Sequence, residues 1–194
     1  MSKFKHLIYL TKNKIITKYI YVFYSISIDK SVLFKGFPYL IKHKKATITI
    51  GENTIINSSN FGYHINMHSS CKLYADQPFA AITIGSNSRI HGTCIHASNQ
   101  IHIGSNCLIA ANTQIFDANG HLLSFDNPTN RIHTKDKGNP IHIEDNVWIG
   151  ANCIILGGTR IGNGAIVTAG SVVKGNIPSK SIYGGNPALL IKQN

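Results

Sequence analysis

Aliphatic residues return at every sixth position along much of this chain. The clearest runs pass through Ile143, Ile149, Ile155, Ile161, Val167 and Val173, and through Ile103, Ile109 and Ile115. A period of six fits neither an α-helix, which repeats at about 3.6 residues, nor a two-sided strand, which repeats at about 2. The pattern therefore indicates a repeat architecture.

Each six-residue unit has the composition of a short strand followed by a turn. In units such as IGSNCL, IGANCI and IGNGAI, an aliphatic residue precedes Gly or Asn, which tolerate the positive φ of tight corners. Three such units close a triangular coil of roughly eighteen residues, and stacked coils bury aliphatic ladders. We expect an all-β, parallel β-helix over residues 47–194 with a C-terminal cap at 178–194, preceded by a separate N-terminal element at 1–46.

Residues 60–80 keep the period poorly, and elsewhere it is interrupted in two places. The step from Ile84 to Ile103 is one residue too long for a coil, which predicts a bulge near Ser98–Asn99. A larger interruption starts within FDANGHLLSFDN and predicts a loop extruded over about residues 121–140. Because loops on rigid scaffolds commonly carry function, this second break is the first place to look for chemistry.

The composition favours one packed domain with an anionic partner. The chain has 194 residues, of which 43% are hydrophobic and 14% charged, enough to bury a core. Lys and Arg number 19 against 8 Asp and Glu, so the net charge of +11 suits a phosphate-bearing cofactor, nucleic acid or an anionic membrane. The basic residues cluster near the start and around 42–45, not in a stripe with aromatics, and we therefore expect no nucleic-acid partner.

The cysteines and the N-terminal segment bear on location. Cys71, Cys94, Cys107 and Cys153 form no CxxC motif, and the last three share a small-residue position, so we expect buried thiols in a reducing, cytoplasmic compartment. No secretory signal is expected.

Residues 15–28 are apolar but too short to span a bilayer. They would lie on the inner face of a membrane, or pack on this domain or a neighbouring subunit.

Residues 46–194 resemble the hexapeptide-repeat acyltransferases, particularly the sugar O-acetyltransferases related to maltose and galactoside acetyltransferases and those acting on bacterial surface polysaccharides. The resemblance rests on NVWIG, the long hexapeptide run, AGSVV, IP and GNPA standing in the family's order. It implies a left-handed β-helix, a homotrimer with active sites between subunits, acetyl-CoA as co-substrate and a carbohydrate acceptor.

In that family a histidine beside the extruded loop is the general base, and His121 occupies this position. A sugar hydroxyl is a poor nucleophile, so a base with a pKa near the working pH is required. Asp117 or Asn119 would orient the ring through its other nitrogen. The alternative is that Asp117-Ala118-Asn119-Gly120 is an ordinary turn.

The resemblance also assigns cofactor positions. Trp148, Ala151 and Ala169 would lie along acetyl-CoA, with the Ala151 N–H near the thioester, and Lys192 would meet phosphate. Where the family often has Thr-Lys and Arg, this chain has Lys174-Gly175 and Leu189. We therefore expect phosphate contacts to be shared among Lys174, Lys180 and Lys192.

The acceptor side is expected in RIHGTCIHASN, through His91, His96 and Asn99. An amino-sugar N-acetyltransferase and an antibiotic acetyltransferase of the same fold are alternatives. The same histidines allow a zinc lyase of the γ carbonic anhydrase type, whose ligands come from neighbouring subunits. A non-catalytic repeat scaffold would need no base beside a loop. The acyltransferase interpretation, which we prefer, predicts no resident metal.

Overall fold

The computed structural model describes the backbone of residues 3–194 and the side chains of residues 7–194. An α-helix, α1 (Lys3–Phe23), precedes the strands. The strands are β1 (Ser27–Ile28), β2 (Leu33–Lys35), β3 (Tyr39–Lys42), β4 (Thr47–Ile50), β5 (Ile55–Asn57), β6 (Lys72–Ala75), β7 (Ala81–Ile84), β8 (Arg89–His91), β9 (Cys94–Ala97), β10 (Gln100–Ile103), β11 (Leu108–Ile109), β12 (Gln114–Phe116), β13 (Ile141–Ile143), β14 (Trp148–Ile149), β15 (Ile154–Leu156), β16 (Arg160–Ile161), β17 (Ile166–Val167), β18 (Val172–Val173), β19 (Asn176–Ile177), β20 (Ser181–Gly184) and β21 (Leu189–Gln193). A 3₁₀-helix spans Pro128–His133.

The strands form three sheets that are the faces of a prism. Their orders are β1-β4-β7-β10-β13-β16-β19 in a seven-stranded face, β2-β5-β8-β11-β14-β17-β20-β21 in an eight-stranded face and β3-β6-β9-β12-β15-β18 in a six-stranded face. Successive strands visit the three faces in turn and pair in parallel with the coil above and below. The expected three-sided β-helix is confirmed.

The residues of the six-residue period form the internal ladders. Ile103 pairs with Ile143 on one face and Ile115 with Ile155 on another, and all four side chains are fully buried. Each buried isoleucine contributes about 1.5–3 kcal/mol relative to an exposed one. The ladder continues across the long loop because the coils before and after that loop stack directly, with β10 paired to β13 and β12 to β15.

The position that Cys94, Cys107 and Cys153 share in the repeat is also buried, with one exception. Cys107 and Cys153 are fully buried, whereas Cys94 is half-exposed, contrary to our expectation. The coil is one residue short at Gly92-Thr93, so Cys94 occupies an outward position of β9. Burial raises the pKa of Cys71 and of Cys107 to about 11, which keeps both as thiols.

The β-helix begins about twenty residues earlier than residue 47, the expected boundary. β1, β2 and β3 pair in parallel with β4, β5 and β6 and so complete a first coil from Ser27. The period is present here as Ile28, Phe34 and Leu40, but an aromatic side chain and intervening lysines disguise it. Of the expected N-terminal element, α1 and the short link to β1 lie outside the prism, while Met1 and Ser2 lie outside the described residues.

The C-terminal segment is a strand. β21 runs antiparallel to β20 and is the outermost strand of the eight-stranded face, with all five of its residues exposed. The expected cap over 178–194 therefore extends one face of the prism by a hairpin, because Leu189–Gln193 finds its backbone partners along β20.

Two loops leave the prism at different corners. Loop 58–71 follows β5 and connects the eight-stranded to the six-stranded face, and loop 117–140 follows β12 and connects the six-stranded to the seven-stranded face. The second is the extruded loop expected at about 121–140. The expected bulge is also present, since Ser98 and Asn99 form a bend between β9 and β10.

Candidate functional site

Loop 117–140 begins at a buried carboxylate. Asp117 is 1% exposed, and its two carboxylate oxygens accept the backbone N–H groups of Ser98 and Asn99, each at 2.8 Å. Burial raises the pKa of Asp117, and the N–H donors work against that rise. The Asp117 carbonyl accepts the N–H of Asn139 at 2.7 Å, so one residue ties the bulge of the coil below to both ends of the loop.

His121 lies exposed near the start of this loop. Its Nδ1 is 3.1 Å from the carbonyl oxygen of Thr134, and the Leu122 N–H donates to Thr134 Oγ1 at 3.2 Å. Because a carbonyl only accepts, Nδ1 carries the proton and Nε2 keeps its lone pair. The ring is thus oriented as a general base requires, with its accepting nitrogen unpaired among the described residues.

The group that orients the ring is not one that we expected. The Asp117 carboxylate accepts hydrogen bonds from the coil below. Asn119 donates its backbone N–H and its Nδ2 to Asp136 Oδ2, at 2.8 and 2.9 Å. Hydrogen bonds from Asn119 and Gly138 lower the pKa of Asp136. Asp117 and Asn119 therefore brace the loop, and the carbonyl of Thr134 holds the histidine.

An apolar groove of about 800 Å³ lies on the eight-stranded face. Its floor comes from β8, β11, β14 and β17, and loop 58–71 covers it through Tyr63 and its neighbours. Trp148, Ala151 and Ala169 all line this groove, and Trp148 is 52% exposed. The structure thus brings together three of the positions expected to hold the cofactor.

His91 is one of the polar residues that line the groove. Its ring stacks on Tyr63 with centroids 4.3 Å apart, and its Nδ1 is 3.1 Å from Asn57 Nδ2. Because an amide NH₂ only donates, His91 Nδ1 accepts and Nε2 carries the proton. Burial, with smaller contributions from Lys35 and Arg89, lowers the pKa of His91 to about 4. His91 is therefore a neutral hydrogen-bond donor at neutral pH.

The groove continues to a basic end. A smaller cavity of about 180 Å³ is lined by Lys180 and Lys192 and shares Ile166 and Ile182 with the groove. Lys174 is exposed and lines neither cavity. Two of the three lysines expected to share the phosphate contacts therefore lie at one end of the groove.

The remaining acceptor positions lie beside loop 117–140. His96 Nε2 is 3.2 Å from Asp76 Oδ1, and its ring stacks on Tyr74. Burial opposes the charge on Asp76, but hydrogen bonds from Gln77, Ser98 and His96 outweigh it and lower the pKa of this carboxyl. Asn99 donates its Nδ2 to the carbonyl of Gly138 at 3.3 Å. His91 is therefore separated from His96 and Asn99 by a corner of the prism.

Comparison with known proteins agrees with this geometry. A family model described as bacterial transferase hexapeptide (six repeats) matches residues 140–175. Residues 140–175 are therefore a run of hexapeptide repeats. A structure of AntD, an N-acyltransferase from Bacillus cereus, in complex with dTDP and coenzyme A is 25% identical with a TM-score of 0.64, over 87% of this chain and 83% of that one.

A galactoside acetyltransferase in complex with coenzyme A is 32% identical with a TM-score of 0.53, over 58% of this chain and 55% of that one. The polySia-specific acetyltransferase NeuO is 22% identical with a TM-score of 0.53, over 88% and 87%, a similarity of fold alone. With these neighbours and the repeats of residues 140–175, the prism is a left-handed parallel β-helix.

Several residues of the candidate site were missed in the sequence. Tyr63 and His64 belong to loop 58–71, whose signal was a poorly kept period, and Asp76 ends a strand within the same stretch. Thr134 holds His121 through its backbone carbonyl, which every residue type has, so the sequence could not have indicated this position. Among residues 3–194 no group of three or more His, Cys, Asp or Glu could hold a metal ion.

Proposed function

We propose that this protein transfers an acetyl group from acetyl-CoA to a hydroxyl of a carbohydrate. The observation that carries the proposal is the groove in which Trp148, Ala151 and Ala169 meet and which continues to Lys180 and Lys192. Acetyl-CoA combines a long pantetheine arm with anionic phosphates, and these match the apolar floor and the basic end. The coenzyme A held by two of the neighbours supports this choice.

The chemistry assigned to His121 is general base catalysis. Its Nε2 removes the proton of the acceptor hydroxyl while that oxygen attacks the thioester carbonyl, the C–O bond forms and the C–S bond breaks. His121 then returns the proton to the departing thiolate of coenzyme A. The N–H of Ala151, which makes no hydrogen bond among the described residues, stabilises the developing oxyanion. The transfer is proposed to be direct, with no acyl-enzyme intermediate.

The site is proposed to form between copies of the chain in a homotrimer. His121 stands at the corner between the six- and seven-stranded faces, whereas the groove lies on the eight-stranded face, and no residue of loop 117–140 lines it. A closed ring would bring the loop of one subunit to the groove of the next. His96, Asn99 and His91 would then meet around one acceptor.

N-acylation of an amino sugar is the second candidate. The N-acyltransferase AntD matches 87% of this chain, against 58% for galactoside acetyltransferase. An amine that is neutral when bound would need the same base. For the O-acetyl proposal, the acceptor is a unit of a bacterial surface polysaccharide or of its lipid-linked precursor.

The first experiment is isothermal titration with coenzyme A, and with pantetheine as the phosphate-free control. Saturable binding near one per chain, weaker for pantetheine, is expected because the lysines meet phosphate. Acetyl transfer from acetyl-CoA to matched sugars bearing a hydroxyl or an amino group then separates O- from N-acylation. Absence of coenzyme A binding would overturn the proposal.

A further inference from the structure

Helix α1 has two apolar sides, and only one of them is buried against the β-helix. On the inner side Ile16 and Ile20 are buried in the core, and Asn13 Oδ1 accepts the Gly36 N–H. On the outer side Ile8, Ile15 and Val22 are 51%, 64% and 60% exposed. These three are seven residues apart and form a line along the helix. Packing on the prism does not explain this outer line.

The outer line belongs to a wider apolar surface. A cavity of about 550 Å³ lies between the helix and the exposed ring of Phe37, and Leu7, Ile15 and Tyr19 also line it. Beyond the outer line, Phe23 is 71% exposed at the end of the helix. Contiguous exposed surfaces of this kind mark a site of interaction, because leaving them in water is costly.

The charges beside this line have a single sign. At about 100° per residue, Lys12 projects on one flank of the Ile15 position, and Lys14 and Lys18 project on the other. The stretch Lys3–Phe23 contains no Asp or Glu, and Asp29 is the first acid of the chain. An apolar line with lysines on both flanks is the pattern of a helix that lies in a membrane interface.

We propose that α1 docks this protein on an anionic lipid surface, with Ile8, Ile15 and Val22 in the acyl boundary and Lys12, Lys14 and Lys18 among the headgroups. No described helix is long and apolar enough to cross a bilayer, so the helix lies along the surface. A second copy of α1 is a poorer partner. Packing two such helices would bring lysines together with no acid to neutralise them.

The test is sedimentation of the full-length chain with vesicles of phosphatidylcholine, with or without about 30% phosphatidylglycerol. We expect binding to the anionic vesicles alone. Combining Ile8→Ser, Ile15→Ser and Val22→Ser should abolish it, and Lys12→Gln, Lys14→Gln and Lys18→Gln together should weaken it by roughly 100-fold. The matched control is Leu189→Ser with Leu190→Ser, exposed leucines on the C-terminal strand, which should bind as the native chain does.

Three results would overturn the proposal. They are no binding by the native chain, equal binding to both kinds of vesicle, and unchanged binding by the serine variant. Sedimentation velocity identifies the competing occupant, because dissociation of an oligomer by the serine substitutions, with no vesicle binding, would show that this surface joins copies of the chain. The lysine variant, whose side chains are exposed, decides the matter if the serine variant unfolds. None of these measurements involves coenzyme A, so they are independent of the proposed acetyl transfer.

Discussion

The two loops that interrupt the β-helix treat their histidines in opposite ways. Loop 58–71 lies over the groove and covers His91 with Tyr63, and burial lowers the pKa of that histidine to about 4. Loop 117–140 leaves His121 exposed and fixes its Nδ1 on the Thr134 carbonyl. The first histidine is suited to donate a hydrogen bond to a bound molecule, and the second to accept a proton.

The difference teaches that the surroundings, more than the residue type, assign the role. Both histidines are carried by the same stack of coils, in which every strand except those at the ends of the three sheets is paired above and below. The proposed binding surface lies on the eight-stranded face and the proposed base at the corner between the other two faces, so the two are built separately. The following predictions test that separation, from the largest expected effect to the smallest.

Replacing His121 should affect turnover far more than binding. For His121→Ala we expect kcat for acetyl transfer to fall roughly 10²- to 10⁴-fold, since the base is lost while the groove is intact. Steady-state kinetics and coenzyme A titration measure the two effects. His133→Ala, an exposed histidine of the same loop, is the control and should retain normal turnover. A His121→Ala enzyme with native kcat would refute the assignment.

Mixed oligomers test whether base and groove come from different subunits. Ala169→Trp should fill the groove and, like His121→Ala, yield an inactive protein. Co-expression of the two variants should restore about a quarter of native activity, because one site in four then pairs an intact base with an intact groove. Activity that stays at the level of the separate variants would place both halves of the site in one chain.

The Asp117 carboxylate should support the fold more than the chemistry. Asp117→Ala removes the acceptor of the Ser98 and Asn99 N–H groups, so we expect the free energy of unfolding to fall by about 1–3 kcal/mol. Denaturant unfolding measures this, with Asp126→Ala, an exposed acid of the same loop, as the control. Equal stability of the two variants would show that Asp117 does not anchor the loop.

The half-buried His91 should make stability depend on pH. Its folded pKa of about 4 lies below the ordinary 6.5, so the unfolded chain binds the proton first, and stability is lost as pH falls from about 6.5 to about 4. His91→Gln should flatten this part of the curve of Tm against pH, and His133→Gln should not. An NMR titration that finds the His91 pKa near 6.5 would contradict the half-buried, stacked ring.

Much of the architecture could be predicted from the sequence. The six-residue period placed Ile103, Ile143 and their equivalents in internal ladders, because a coil of fixed length returns every such position to the same line. The bulge at Ser98–Asn99 and the extruded loop followed from departures from that length. Family motifs placed Trp148, Ala151 and Ala169 on the cofactor side, and the structure brings these three into one groove.

The sequence by itself thus determined the repeat, its ladders and its interruptions, since these depend on the order of apolar and polar residues along the chain. Only the tertiary structure decided that the first coil starts at Ser27, where Phe34 hides the period, and that a backbone carbonyl of Thr134 orients His121. It also separated His91 from His96. Backbone hydrogen bonds and the corners of a prism depend on which distant segments meet in space, and residue identities alone do not encode that.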